Sequence, residues 1–158
     1  MEPRIIFLDI DGVLNYAAQG DGTIHHDSRN MFAPYYSPTY ENTKNLLEIY
    51  QTFPNTEIVI TSTWGNNLSH FGIWECLLYN AVHHEAPMKV HFDTVTPQKI
   101  NSSREKEICM WLENHPKIKH FVILDDITMN LLKDKAVHVN PDTGLTKEDA
   151  EKAIRILK

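Results

Sequence analysis

Three short stretches of the chain are apolar without interruption, and each stops abruptly at polar residues. Ile5-Ile6-Phe7-Leu8 ends at Asp9-Ile10-Asp11-Gly12, Ile58-Val59-Ile60 ends at Thr61-Ser62-Thr63, and Phe121-Val122-Ile123-Leu124 ends at Asp125-Asp126. Runs of this length without alternation predict strands covered on both faces, as in a parallel sheet. Ala136-Val137-His138-Val139 is a fourth candidate strand. Helical patterns lie between them. Ser37-Pro38 resembles a cap followed by proline at the first helical position, predicting a helix to about Phe53 with Leu46, Leu47, Tyr50 and Phe53 on one face and Pro54-Asn55 as its stop. Ser102-Ser103-Arg104-Glu105 reads as a capping box starting at Ser102, before a helix that buries Ile108, Trp111 and Leu112. Thr146-Lys147-Glu148-Asp149 caps a last helix in which Ala150, Ala153, Ile154 and Leu157 are spaced to cover the sheet.

Strand, helix and strand in succession predict an α/β fold with a parallel central sheet and right-handed crossovers. Two segments lack this regularity. Residues 16–37 have no sustained period and carry glycines, His25-His26-Asp27 and Pro34, which mark an irregular excursion of a length that often serves as a lid or binding element. In the other, Leu68, Phe71 and residues 73–79 predict one or two short helices, and residues 90–96 an extended segment or a strand.

With 158 residues, 42% of them apolar and 23% charged, the chain has the size and composition of one globular domain, residues 1–158, with residues 16–37 as a small loop cover. No apolar run approaches the ~20 residues that span a bilayer, and Met1-Glu2-Pro3-Arg4-Ile5 leads into a strand rather than a secretory segment, so a cytoplasmic protein without membrane attachment is expected. The net charge of −6 argues against extensive non-specific nucleic-acid binding, though not against a local basic pocket for one phosphate. Cys76 and Cys109 have apolar neighbours and read as buried thiols.

Parallel open sheets bind ligands beyond the carboxyl ends of their strands. Here those ends carry Asp9 and Asp11, Thr61 and Ser62, and Asp125 and Asp126. Carboxylates crowded into one pocket repel, and a hard divalent cation with oxygen ligands, magnesium, is the usual remedy. Asp9 and Asp11 are two apart and would share a face if the strand continued. The chemistry these residues suit is phosphoryl transfer. Asp9 attacks phosphorus to give an aspartyl-phosphate, Asp11 serves as acid and then base, and Asp125 and Asp126 complete a metal site with Asp9 and Asp11. Thr61 holds a nonbridging oxygen, and a cation, Arg104 or Lys106, offsets the charge on phosphorus. Arg104 is preferred because it lies in the first turn of its helix.

Phe7-Leu8-Asp9-Ile10-Asp11-Gly12-Val13-Leu14-Asn15 resembles the first motif of the haloacid-dehalogenase-like (HAD) hydrolases. Residues 58–61 resemble the second motif, Arg104 or Lys106 the basic third, and Ile123-Leu124-Asp125-Asp126 the acidic fourth. Glu107-Ile108, Trp111-Leu112 and Asp142-Thr143-Gly144-Leu145-Thr146 extend the likeness to the small HAD branch found in multifunctional RNA-repair proteins. The resemblance implies a Rossmann-like three-layer core with little or no cap. It also implies a magnesium-dependent phosphomonoester hydrolase with Asp9 as nucleophile and Asp11 as general acid/base. The partner would be a phosphorylated small molecule or a nucleic-acid terminal phosphate. Where many relatives place arginine after the tryptophan, this chain has Trp64-Gly65-Asn66.

Two other functions compete with this reading: a phosphoacceptor signalling domain, whose acceptor aspartate follows a later strand, and an inactive phosphate-binding protein. His83-His84-Glu85 with His91 and Asp93 lacks the spacing of a closed zinc site. Lys117, Lys119 and His120 form a small basic patch that reads as solvated.

Overall fold

The computed structural model describes residues 2–16, 38–61, 71–93, 95 and 103–158. Four parallel strands, β1 (Arg4–Leu8), β2 (Thr56–Ile60), β3 (His120–Asp125) and β4 (Ala136–His138), form a sheet in the order β2-β1-β3-β4. Among the described residues, four α-helices accompany it: α1 (Tyr40–Thr52), α2 (Phe71–Ala81), α3 (Arg104–Asn114) and α4 (Lys147–Leu157). The fold is the Rossmann-like α/β arrangement expected of a HAD core.

Alternation along the strands divides the core in two. Ile6, Leu8, Ile58, Ile60, Val122 and Leu124 face Leu46, Leu47 and Ile49 of α1, Trp74 and Leu78 of α2, and Ala150, Ala153 and Leu157 of α4. Ile5, Phe7, Val59 and Ile123 face Ile108 and Trp111 of α3. Both strand faces are therefore dry, which is why the strands read as unbroken apolar runs. Phe7 meets Trp111 and Phe121 edge-on, at 5.3 and 5.8 Å between ring centroids. Beside β2, Val90 bridges Ile58 in parallel. Ile58 N–H donates to Lys89 O, and Ile58 and Ile60 carbonyls accept from His91 and Val95. Among the described residues, no helix is long and apolar enough to cross a membrane.

Several local expectations change. Helix α1 starts at Tyr40, two residues beyond Pro38, because Thr39 is the cap. Its hydroxyl oxygen accepts from Asn42 N–H at 3.2 Å, while its own N–H is held by Leu14 O at 2.8 Å. Ser37 lies outside the described residues. The cap of α3 is Ser103 rather than Ser102, with Lys106 N–H on its hydroxyl, so Arg104 becomes the first helical residue. The cysteines are not buried: Cys76 is exposed and Cys109 half-buried. Apolar neighbours in sequence mislead on a helix, since Cys76, two residues from each of the buried Trp74 and Leu78, takes the opposite side. The capping box on α4 is present, with Asp149 and Thr146 bonded reciprocally.

One buried polar side chain fastens the helical layer to the turn before α4. Asn42, 4% exposed, donates to Thr143 O at 3.1 Å and Leu145 O at 3.0 Å and accepts from the Thr39 hydroxyl at 2.7 Å. Gly144 sits against it with φ +68°, where a Cβ would lie 2.6 Å from Asn42 Oδ1. Truncating Asn42 strands Thr143 O, while Leu145 O keeps Asn45 Nδ2 at 2.9 Å, so Asn42→Ala is expected to lower unfolding free energy by about 2–3 kcal/mol in urea titrations.

Candidate active site

The strand register builds the site. Leu8 pairs with Ile60 on one side and with Leu124 on the other. The ladder runs one residue further, Thr61 N–H donating to Leu8 O at 2.9 Å and Asp9 N–H to Leu124 O at 3.0 Å. Asp9, Thr61 and Asp125 thus stand side by side across three strands. By alternation they continue the rows of Phe7, Val59 and Ile123, toward the face that α3 covers. The strand order reverses between β1 and β3, the crevice where open parallel sheets take ligands.

Helix α3 delivers the cation. Arg104 Nη1 lies 3.1 Å from Asp9 Oδ1 and 2.9 Å from Asp125 Oδ2, bridging the two strand ends. Lys106, two residues on and exposed, has no ion pair with the carboxylates. Carboxylate oxygens of Asp9, Asp125 and Asp126 lie within 4.8 Å of one another, an all-oxygen set able to hold a hard divalent cation. Asp11 is not a member of that trio. Strand β1 ends at Leu8 and residues 11–14 form a turn, so the shared face expected for Asp9 and Asp11 does not arise from a continued strand. Asp11 instead meets Asn15, which donates from Nδ2 to Asp11 Oδ1 at 3.1 Å.

Backbone shape around the trio is specific. Gly12 has φ +79°, and a Cβ there would come 2.7 Å from Asp126 Oδ2, so the missing side chain is the room that the carboxylate occupies. Asp125 Oδ1 accepts from Ile127 N–H at 3.0 Å. His138 Nε2 donates to the Asp126 carbonyl at 2.9 Å. The Thr61 hydroxyl is buried and has no hydrogen-bond partner among the described residues. A buried hydroxyl left without a partner is costly.

Sequence reasoning missed Glu105. It was read as the reciprocal member of a capping box, but its Oε1 accepts from Asn130 N–H at 2.9 Å and Leu132 N–H at 2.7 Å. That ties the residue next to Arg104 to the loop after Asp126. Nothing in a local pattern signals such a bond, because its donors are backbone groups some 25 residues away. The sequence-predicted Ser62 and the Trp64-Gly65-Asn66 stretch lie outside the described residues, as do residues 17–37. Of the histidine-rich segment, His83 stacks on Tyr40 and Glu85 pairs with Lys44 and Tyr40.

The charges are strongly coupled. Burial raises the Asp9 carboxyl from 3.8 to about 7, with the negative charge of Asp125 adding to the effect and Arg104 pulling against it. Burial also raises Asp125, again against the pull of Arg104. Arg104 is itself desolvated, yet Asp9 and Asp125 hold its guanidinium above its ordinary range.

The family model for the HAD domain in Swiss Army Knife RNA repair proteins matches residues 5–150. No curated protein and no solved structure matches the chain.

A carboxyl whose folded-state pKa is raised binds its proton more tightly in the native than in the unfolded protein, so stability falls as pH climbs from the unfolded toward the folded value. With EDTA present, the melting temperature is therefore expected to drop by about 5 °C or more between roughly pH 4 and pH 7. Magnesium should restore it, and Asp9→Asn should flatten the drop; a pH-independent melting curve in EDTA would contradict the crowding described for Asp9.

Proposed function

The chain belongs to the HAD domain family of Swiss Army Knife RNA repair proteins and is a HAD-like phosphatase, and on that premise we propose that it is a magnesium-dependent phosphomonoester hydrolase working through an aspartyl-phosphate on Asp9. The observation that carries this reading is the trio Asp9, Asp125 and Asp126 with Arg104 bridging its first two members. Its substrate is a phosphorylated small molecule or a nucleic-acid terminal phosphate. The residues act as one domain spanning 1–158.

Asp9, Asp125 and Asp126 would hold magnesium, which would supply the positive charge that favours ionised Asp9 near neutral pH and attracts a phosphate. Asp9 attacks phosphorus in line, forming an O–P bond as the bond to the leaving oxygen breaks. Asp11 gives its proton to that oxygen, then takes one from the water that hydrolyses the aspartyl-phosphate and regenerates Asp9. The Thr61 hydroxyl, otherwise unpartnered, donates to a nonbridging oxygen, and Arg104 neutralises charge on the transferring group.

The position of the acceptor favours turnover over signalling, since Asp9 follows the first strand rather than a later one. An inactive phosphate-binding protein would retain the trio but show no phosphate release. Phosphate release from p-nitrophenyl phosphate, nucleotides, sugar phosphates and 3′- and 5′-phosphorylated oligonucleotides should require magnesium. Asp9→Asn should lower kcat by about 10³-fold or more, and Asp11→Asn by about 10²–10⁴-fold. Activity that survives EDTA, or that survives Asp9→Asn, would overturn the mechanism. A long-lived phosphoprotein without turnover would favour the signalling domain.

A further inference from the structure

The turn after β1 holds a side chain to which the mechanism above gives no role. Asn15 is 4% exposed and lies four residues after Asp11. Its Oδ1 accepts from Gly12 N–H at 3.0 Å, and its Nδ2 donates to Asp11 Oδ1 at 3.1 Å. The orientation of the amide follows from chemistry: a backbone N–H can only donate, so the atom facing Gly12 must be the carbonyl oxygen and the one facing Asp11 must be the NH2.

The turn that makes this contact is braced on both sides. Val13 and Leu14 N–H groups both donate to Ile10 O, Leu145 N–H donates to Val13 O at 2.7 Å, and Thr39 N–H to Leu14 O at 2.8 Å. Gly12, with φ +79°, turns its N–H inward to Asn15. Asn15 therefore sits in a fixed frame and presents an N–H to one chosen oxygen of Asp11.

Resting on the hydrolase reading above, we infer that Asn15 is a positioning residue that fixes which oxygen of Asp11 carries the proton given to the leaving group. A carboxylic acid accepts an N–H on its carbonyl-type oxygen and carries its proton on the other. With Oδ1 engaged by Asn15, the acid proton is directed to Oδ2. When the O–P bond to Asp9 forms and the bond from phosphorus to the leaving oxygen breaks, that proton passes from Asp11 Oδ2 to the departing oxygen, leaving Asp11 ionised with Oδ1 still held. The need for this proton depends on the leaving group: an alkoxide departs poorly without it, whereas p-nitrophenolate departs readily.

The test is leaving-group selectivity in kcat/KM, which reports the steps up to loss of the alcohol and is blind to later hydrolysis of the aspartyl-phosphate. Asn15→Asp retains an oxygen for Gly12 N–H while removing the donor to Asp11, and Asn15→Ser, a smaller change in charge, is the second variant. With magnesium, both should lose about 10²-fold or more on an alkyl phosphate monoester but no more than about 5-fold on p-nitrophenyl phosphate, a weaker copy of the selectivity of Asp11→Asn. Equal losses on the two esters, in variants whose melting curves remain cooperative, would overturn the positioning role and leave the hydrolase reading standing. Wild-type protein that releases phosphate from neither ester would overturn both.

Discussion

Like charges withdrawn from water raise one another's energy, and the carboxyl end of this sheet gathers three of them. Asp9 and Asp125 are nearly inaccessible, and Asp126 lies within 4.8 Å of both. One guanidinium, Arg104, sits between two of the three. Three carboxylates against one guanidinium leave an excess of negative charge, which is the electrostatic reason that burial and Asp125 push Asp9 toward neutrality. The same deficit of positive charge makes the place receptive to a hard cation. Stability and function draw on one feature here, because the groups whose mutual repulsion costs stability are the groups proposed to do the chemistry.

Keeping such a site in shape requires rigid surroundings, and the surrounding bonds are mostly from side chain to backbone. Glu105 grips two N–H groups of the loop after Asp126, Asp125 grips Ile127 N–H, and His138 holds the Asp126 carbonyl. On the other side of the crevice Asn15 spans the turn of residues 11–14, whose carbonyls in turn receive Thr39 and Leu145. The helix that supplies the cation and the loop that follows two of the acids are consequently one mechanical unit, joined through Glu105.

The parts of this arrangement that were readable in the sequence share a physical cause. Ile5-Ile6-Phe7-Leu8, Ile58-Val59-Ile60 and Phe121-Val122-Ile123-Leu124 announce strands because both of their faces are dry, and the acids just beyond them could be placed by the general behaviour of parallel sheets. Arg104 was legible from its place in the first turn of a helix. What failed were choices between near-equivalent neighbours. Thr39 caps α1 in place of Ser37 because its N–H is already pinned to Leu14 O, and Ser103 caps α3 while Glu105 is occupied by a distant loop. Asn42 and Glu105 were silent because each satisfies backbone groups whose location is set by the finished fold. Cys76 was misread because local composition does not say which side of a helix a residue takes.

The contacts that Lys89, Val90, His91 and Val95 make beside β2 have a bearing on how the molecule behaves in company. An outer strand with free amide and carbonyl groups is a template on which a second chain can add, the first step toward intermolecular sheet growth. Here Ile58 and Ile60 already have their outward groups engaged by Lys89, His91 and Val95, and the opposite margin is only the three residues of β4. At Ile58 and Ile60, in one of the most apolar stretches of the chain, the groups on which another copy would pair are thus already taken.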